Sequence, residues 1–448
     1  MGCCIVKDDR WKRHRVLSIL LAMVCSFFCR AATVVDVKQG VMKPVSVAVS
    51  VFSLNENVAE DIYLVIVNDL VGTFLFKELS RSAFMQALRG AEQKPTFPLW
   101  KMIGTQYLVN VEVQVEGETL RVTMKLYDVL SETQVGTFTA SSNTKEWRRL
   151  AHLAANNVYE RVTGEQGYFE TKILYVSVKK TPRGGRNYRI AIMDQDGYDH
   201  KFLTDSSAIV LTPRFAPDGR EFSFFSIKEK IVRGRRIPIS ANVYRYNLST
   251  QRIELVASFS GMSYAPRYSP DGKLLIFSLS HRGSSSIYTF DLVTHRLSRV
   301  TKGTWIDTSP CYSPDGKNIV FTSDRGGSPQ LYIMDADGSN VRRLTFAAGC
   351  RYTTPTWSPR GDWIAFTRSS KEGFYIGIMH PDGSWERMLA SGYIVEGPTW
   401  SPNGRVVLFS HQDYQRREKI FSVDVTGYNK HEINTPLNAI DPEWSTKQ

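Results

Sequence analysis

From residue 222 onward, short runs of β-branched and aromatic residues recur at near-constant spacing: Phe222–Ser226, Leu274–Ser278, Ile319–Ser323, Ile364–Arg368 and Val406–Ser410. Each is long enough for one buried strand and too short for a helix. A second run follows each, as in Leu331–Asp335, Tyr375–Met379 and Ile420–Asp424, and a fourth short strand ends near Thr301, Thr345 and Leu389. Turn chemistry separates the runs. A Pro-x-aromatic-Ser/Ala-Pro-Asp-Gly phrase precedes the first, at Pro213–Gly219, Pro266–Gly272 and Pro310–Gly316, with Arg or Asn replacing Asp in Pro355–Gly361 and Pro398–Gly404. The leading prolines are 53, 44, 45 and 43 residues apart, and 44 more lead to a truncated copy, Pro442–Ser445. That is the period of a four-stranded propeller blade, and six copies predict six blades.

The two ends of this region are incomplete in complementary ways. Ile173–Val178, Tyr188–Met193 and His200–Thr204 read as three strands without a Pro-x-aromatic strand, and Pro442–Ser445 is that strand without its partners. The pattern therefore predicts that the C-terminus joins the first three strands and closes the ring, leaving no open edge at the join.

Before the repeats the period changes. Lys43–Phe52 alternates, with apolar residues at 45, 47, 49 and 51, which predicts a strand with one buried face. Asn57–Val71 has helical spacing, with Asn57 as N-cap and Gly72 as stop. Tyr107–Val115 and Thr119–Tyr127 read as a hairpin across Glu116-Gly117-Glu118. Gln134–Ala140 reads as a further strand, and Lys145–Thr163 as a helix with Trp147, Leu150, Ala154 and Val158 inward, ended by Gly164. The predicted fold class is thus a small α+β N-terminal domain, residues 32–165, followed by an all-β six-bladed propeller, residues 166–448, closed by the C-terminal strand.

Residues 1–31 change the picture. The 14 apolar-rich residues Val16–Cys29 follow Lys12, Arg13 and Arg15 and precede Ala31-Ala32, the arrangement of a secretory signal cleaved at Ala31/Ala32; a bilayer span needs about 20 residues. Cys3, Cys4, Cys25 and Cys29 leave with such a leader, and neither Cys25 nor Cys29 has the small preceding residue of a lipoprotein acceptor. Cys311 and Cys350 remain, expected as two free buried thiols rather than a disulfide.

The formal charge of +12 is uneven. Lys and Arg outnumber Asp and Glu by 6 to 2 in residues 1–31 and fall short, 13 to 15, in residues 32–165, so residues 166–448 carry a net +10. A basic ring suits an acidic protein, anionic headgroups or a polyanion, against the plain alternative of a solubility bias. Lys228, Lys230, Arg233, Arg235 and Arg236 concentrate in the insertion 228–241 and read as a solvated hairpin ahead of a docking loop.

Reactive constellations are not expected. There is no Gly-x-Ser-x-Gly, His-Glu-x-x-His, Cys-x-x-Cys or Gly-rich phosphate loop, so the chain is read as carrying no catalytic residues, no metal and no cofactor. Asp194/Asp196 and Asp335/Asp337 are candidates for Ca²⁺ or acid–base work, but both pairs occupy turns where Asp bonds its own backbone, and structural use is the expectation.

Taken together, these residues resemble the TolB family, the periplasmic component of the Tol-Pal cell-envelope system of Gram-negative bacteria. The resemblance covers essentially the whole chain after the leader. It rests on Thr33–Gly40 with Lys43–Val47, Glu60–Ile62, Asn68–Leu70, Val158–Gly164 running into Thr171–Val176, and the order of leader, α+β domain and six blades. It implies a non-enzymatic adaptor that keeps the outer membrane attached during cell constriction. The propeller would bind the peptidoglycan-associated lipoprotein Pal, and the N-terminal arm Thr33, Val34, Val35, Asp36 and Val37 an inner-membrane TolA-like protein; outer-membrane proteins are a further partner class and nucleic acid is not one. The Pal-facing loops map to those entering each repeat, notably Met262, Ala265 and Thr308. Propeller geometry adds that these loops share a rim with those between second and third strands, a rim expected to display Tyr264, Trp305, Asp307, Arg351, Tyr352, Tyr393 and Glu396. Inter-blade packing is the alternative for each aromatic. The long basic insertion and the apolar arm 32–35 depart from the family pattern. Competing readings are a glycan or peptide hydrolase or lyase using His281 or His411, and a ring that binds cell-wall glycan passively.

Overall fold

The computed structural model describes residues 43–447 except 183, 233–234, 260–262 and 282, with backbone alone at 228–232, 235–241, 263–265 and 281. The leader, its cleavage site Ala31/Ala32, the arm 33–37 and Met262 lie outside the described residues.

The α+β domain is a five-stranded sheet built from β1 (Val45–Ser53), β2 (Phe76–Glu78), β3 (Tyr107–Glu116), β4 (Thr119–Asp128) and β5 (Thr133–Asn143), in the order β2-β1-β3-β4-β5. β1 runs parallel to β2 and β3, and the remaining pairs are antiparallel. Helices α1 (Glu56–Gly72) and α3 (Trp147–Thr163) share one hydrophobic core with Val47 and Val49 of the sheet. The expected single buried face of β1 is corrected here, because Ala48 is buried too, against Leu88, Trp100, Leu108 and Tyr127. The covering segment includes a short helix, α2 (Phe97–Met102), that periodicity did not reveal. The α1 caps are also corrected. Asn55, not Asn57, is the N-cap and accepts from Val58 N–H at 3.3 Å; the helix runs through Gly72, and the left-handed residue is Phe74, φ 61°. By contrast α3 stops at Gly164, φ 73°, as the pattern predicts.

Six four-stranded sheets follow. Blade 6 combines β6 (Lys172–Lys180), β7 (Arg186–Asp194) and β8 (Lys201–Phe202) with the last strand. Blade 1 is β9–β12 (Ile209–Phe215, Glu221–Val232, Arg235–Asn247, Ile253–Phe259), and blade 2 is β13–β16 (Ser263–Tyr268, Leu274–His281, Ser284–Asp291, Leu297–Arg299). Blade 3 is β17–β20 (Asp307–Tyr312, Asn318–Ser323, Gln330–Asp335, Arg342–Arg343), and blade 4 is β21–β24 (Arg351–Trp357, Ile364–Ser370, Gly373–Met379, Arg387–Gly392). Blade 5 is β25–β28 (Ile394–Trp400, Val406–Gln412, Glu418–Asp424, His431–Ile433), and β29 (Asn438–Trp444) completes blade 6.

The recurring serine has a mechanical role. Ser269 Oγ accepts the Leu274 N–H at 2.9 Å while donating to Asp271 at 2.6 Å, and Ser313 does the same with Asn318 and Asp315, stitching the first strand to the second across the Pro-Asp-Gly turn. In blade 6 this stitch spans the ends of the ring: Ser445 Oγ accepts from Lys172 N–H at 3.0 Å, and Ser445 N–H donates to Lys172 O at 2.9 Å. β29 pairs with β6 from Asn438↔Val178 to Trp444↔Ile173, the closure the sequence predicts. Trp444 donates to Thr171 Oγ1 at 2.7 Å and packs edge-on against Tyr168, so the closing strand is also tied to the segment entering the ring. Cys311 and Cys350 are free and buried, as expected. Among the described residues no helix is long and apolar enough to cross a membrane.

Candidate partner-binding rim

In an antiparallel four-stranded blade the start of the inner strand and the hairpin between strands two and three lie at one end, and the other two turns at the opposite end. The α+β domain occupies the second end. Arg148 bonds Asp194 and Asp196, Asp69 accepts from Gln195, Gly72 O accepts from Asn429 Nδ2, and Glu165 pairs with Arg360 and Arg405, while Gln166 O, in the connection that follows, accepts from Asn403 Nδ2; each of these partners in the blades sits at or beside a one–two or three–four turn. The rim where inner strands begin is left open.

The structure sorts the expected rim residues. Trp305 is 41% exposed, with the Arg325 guanidinium 4.9 Å from its ring centroid. Thr308 is partly exposed and Arg351 is exposed. Tyr393 is exposed and packs on Tyr414, ring centroids 4.8 Å apart. Tyr264 and Ala265 lie on β13, described by backbone alone. Two expectations of display are corrected. Asp307 is only 2% exposed and takes both its carboxylate bonds from Arg325 Nη2, at 3.0 and 3.1 Å, because a buried carboxylate at a strand start needs a cation. Tyr352 is fully buried, its ring against Phe366 and its hydroxyl donating to Glu386 at 2.8 Å, which is packing. Glu396 is open to solvent yet walled in by protein, and that desolvation, reinforced by Asp441 and Glu418, pushes its carboxyl above the usual range.

Arg325 and Tyr414 went unrecognised in the sequence because both sit in hairpins between strands two and three, outside the repeated phrase. Arg325→Ala is expected to lower stability by about 2 kcal/mol by stranding Asp307. Thermal unfolding checks this, and Asp307→Asn in the same background should recover part of the loss.

A second group was written in the repeats themselves, at the variable position of Pro-x-aromatic: Arg214, Arg267, Cys311, Thr356, Thr399 and Glu443, one per blade. Glu443 accepts from Thr399 at 3.0 Å and lies 3.5 Å from Arg214 and 3.8 Å from Arg267, while Cys311 Sγ is 4.0 Å from Thr356 Oγ1. Side chains from four different blades meet at Glu443 only if they point to the axis, so this position lines the channel. The inner strands bulge just before it, and Thr212, Ser309, Thr354 and Asp441 adopt φ of 46–52° immediately ahead of proline.

The carboxylate pairs act structurally. Asp337 accepts from Ser339 N–H and Asp335 from Asn340 Nδ2 within their turn. Asp194 and Asp196 serve their turn and also reach the α+β domain. His152, Asp194 and Asp196 each offer a possible metal-ligand atom within 4.8 Å of the others, but Arg148 and Lys172 already pair with these carboxylates and neutralise the cluster. His411 packs on Phe421, ring centroids 4.8 Å apart; the side chain of His281 is outside the description.

Comparison with known proteins bears directly on this architecture. The sequence profile of the TolB amino-terminal domain matches residues 33–135, and that of the TolB beta propeller domain matches residues 159–448. The chain belongs to the TolB family. It is 43% identical to the Tol-Pal system protein TolB of Rickettsia felis over 96% of this chain and 99% of the relative, and 43% identical to that of Rickettsia prowazekii over 93% and 95%. The crystal structure of TolB from Acinetobacter baumannii superposes with a TM-score of 0.79 at 26% identity, covering 90% of this chain and 97% of that one. The chain is therefore a cell-envelope component of the Tol-Pal system, and family membership implies protein partners within it.

Proposed function

We propose that the chain is a non-enzymatic periplasmic adaptor, cleaved after residue 31, whose open rim binds a Pal-like peptidoglycan-associated lipoprotein and whose arm, residues 33–37, binds an inner-membrane TolA-like protein, holding the outer membrane to the wall as the cell constricts. The observation that carries the reading is the division of faces. The α+β domain covers the turn end of blades 4, 5 and 6, leaving Trp305, Thr308, Arg351 and Tyr393 accessible at the other end, and aromatic and arginine side chains are the usual anchors of protein interfaces. Asp307 and Tyr352 serve this rim from behind, as supports.

The net +10 of the ring favours an acidic partner surface. Arg351→Glu is expected to weaken binding of the soluble Pal-like domain about tenfold and to flatten its salt dependence, as read by interferometry at two ionic strengths. Unaltered affinity and salt slope would remove Arg351 from the site.

A further inference from the structure

The linker between blades 2 and 3, residues 301–306, reaches the open rim and is held more tightly than an exposed loop requires. Arg299 Nε donates to Thr301 O at 2.8 Å, and its Nη2 donates to Gly303 O at 3.0 Å and to Ser286 Oγ of β15 at 2.8 Å. Further along, Trp305 O accepts from Ser285 N–H at 3.1 Å and Ile306 N–H donates to Asp324 Oδ1 at 2.7 Å. The backbone at 305–306 is thus pinned to blade 2 on one side and to blade 3 on the other.

These bonds fix where one side chain stands. Gly303 has φ 131°, a conformation that L side chains rarely adopt, and a β-carbon there would lie 2.3 Å from Cε3 and Cζ3 of Trp305. The indole rests on the bare backbone of residue 303, and any side chain at that position displaces it. The Arg325 guanidinium beside the same ring is itself held by Ser323 Oγ, 2.9 Å from its Nε, and by Asp307. That carboxylate neutralises the guanidinium, so what the linker presents is apolar: Trp305 with Ile306 next to it, 47% exposed. The following linker shares the Arg-x-Thr frame, with Arg343 Nε donating to Thr345 O at 2.5 Å, but has Ala347 and Gly349 where this one has Gly303 and Trp305.

We propose that Trp305 is the apolar plug of the rim, entering an apolar recess on the partner, and that Gly303 and Arg299 are positioning residues that set the indole in place before the partner arrives. The proposal rests on the reading of the rim as the surface for a Pal-like domain, and adds to it what Arg351 does not supply, an aromatic anchor beside a charge that steers. Such anchors carry much of the affinity of protein interfaces, and a side chain already immobilised in the free protein loses no rotamer freedom on binding.

The test is a double-mutant cycle read by calorimetric titration of the full chain, purified after export, with the soluble Pal-like domain from its own organism. Trp305→Ala is expected to weaken binding about tenfold or more. Gly303→Ala keeps the indole but displaces it, and should weaken binding about as much. The double variant Gly303→Ala/Trp305→Ala should bind no more weakly than Trp305→Ala alone, because the glycine acts only through the indole. Arg299→Gln releases Gly303 O without changing the backbone preference at 303, and serves in the same cycle where Gly303→Ala folds poorly; its loss should likewise vanish in the Trp305→Ala background. Losses that add in both cycles would overturn the positioning roles, and wild-type affinity in Trp305→Ala would overturn the anchor. If Trp305→Ala binds normally while Arg351→Glu weakens binding, the plug falls and the rim reading stands. Absence of binding by the wild type removes both.

Discussion

Removal of residues 438–448 is expected to abolish the cooperative melting of the whole ring. The strand lost is the inner strand of blade 6, so the deletion opens β6 along its length, strips the Ser445 bonds from Lys172, and takes Trp444 out of a core that includes Tyr168, Ile173 and Ala439. That core also contains Leu150, Val158 and Tyr159 of α3, so the damage reaches the α+β domain. Trp444→Ala is the milder form of the same experiment. It leaves the backbone ladder but empties a buried indole site and removes the bond that the Thr171 hydroxyl accepts, leaving the one it donates to Tyr168 O, and is expected to cost about 4 kcal/mol and about 10 °C in melting temperature. Scanning calorimetry checks both, and a truncated chain that melts like the intact one would refute closure as the source of stability.

The second large effect is expected at the junction between the domains. His152 of α3 and Asp69 of α1 are buried 2.6 Å apart, and Asp69 also accepts from Gln195 of the propeller at 2.9 Å. Asp194, Asp196, Arg148 and Lys172 complete a charged cluster facing this pair. Desolvation opposes the imidazolium, but Asp69 and Asp194 prevail and raise its pKa to about 10; burial raises that of Asp69 to about 6 despite His152. Because the His152 pKa is higher folded than unfolded, its contribution to stability is fully present below about pH 6.5 and is lost as pH rises through 10. His152→Gln leaves Asp69 buried without a cation and is expected to cost about 3–4 kcal/mol at pH 7. Between pH 7 and 10 the wild type should lose stability steeply and His152→Gln only slightly; parallel pH profiles of melting temperature would contradict this assignment.

The contrast between these two sites explains what was legible in the sequence. The blades were legible because they repeat one local solution, a Pro-Asp-Gly-type turn over which a serine stitches two strands in every blade but the first, where Ala216 stands in its place, and closure was legible because the phrase is cut between residues 445 and 172. The junction was not, because Asp69, Arg148, His152, Lys172 and Asp194 are dispersed, and each has an ordinary local role as a helix or turn residue. The rim was legible in part. A residue at the start of an inner strand can face solvent or the neighbouring blade, and nothing in the phrase distinguishes exposed Arg351 from buried Tyr352 one position later. The channel position was recoverable from the repeats, since it is the one variable residue between an invariant proline and an aromatic. In the α+β domain the apolar period starts at Val58 and so points to Asn57 as the cap, whereas Glu56 and Asn57 already form the first turn.

The most direct test of the adaptor reading is hydrogen exchange on the chain alone and saturated with the soluble Pal-like domain from its own organism. The account predicts slowed exchange at 307–312, 324–330, 351–354 and 413–417, the open rim, with the turns at 194–199 and 424–429 unchanged beneath the α+β domain. Protection confined to those turns, or absent everywhere in a demonstrably mixed sample, would contradict it.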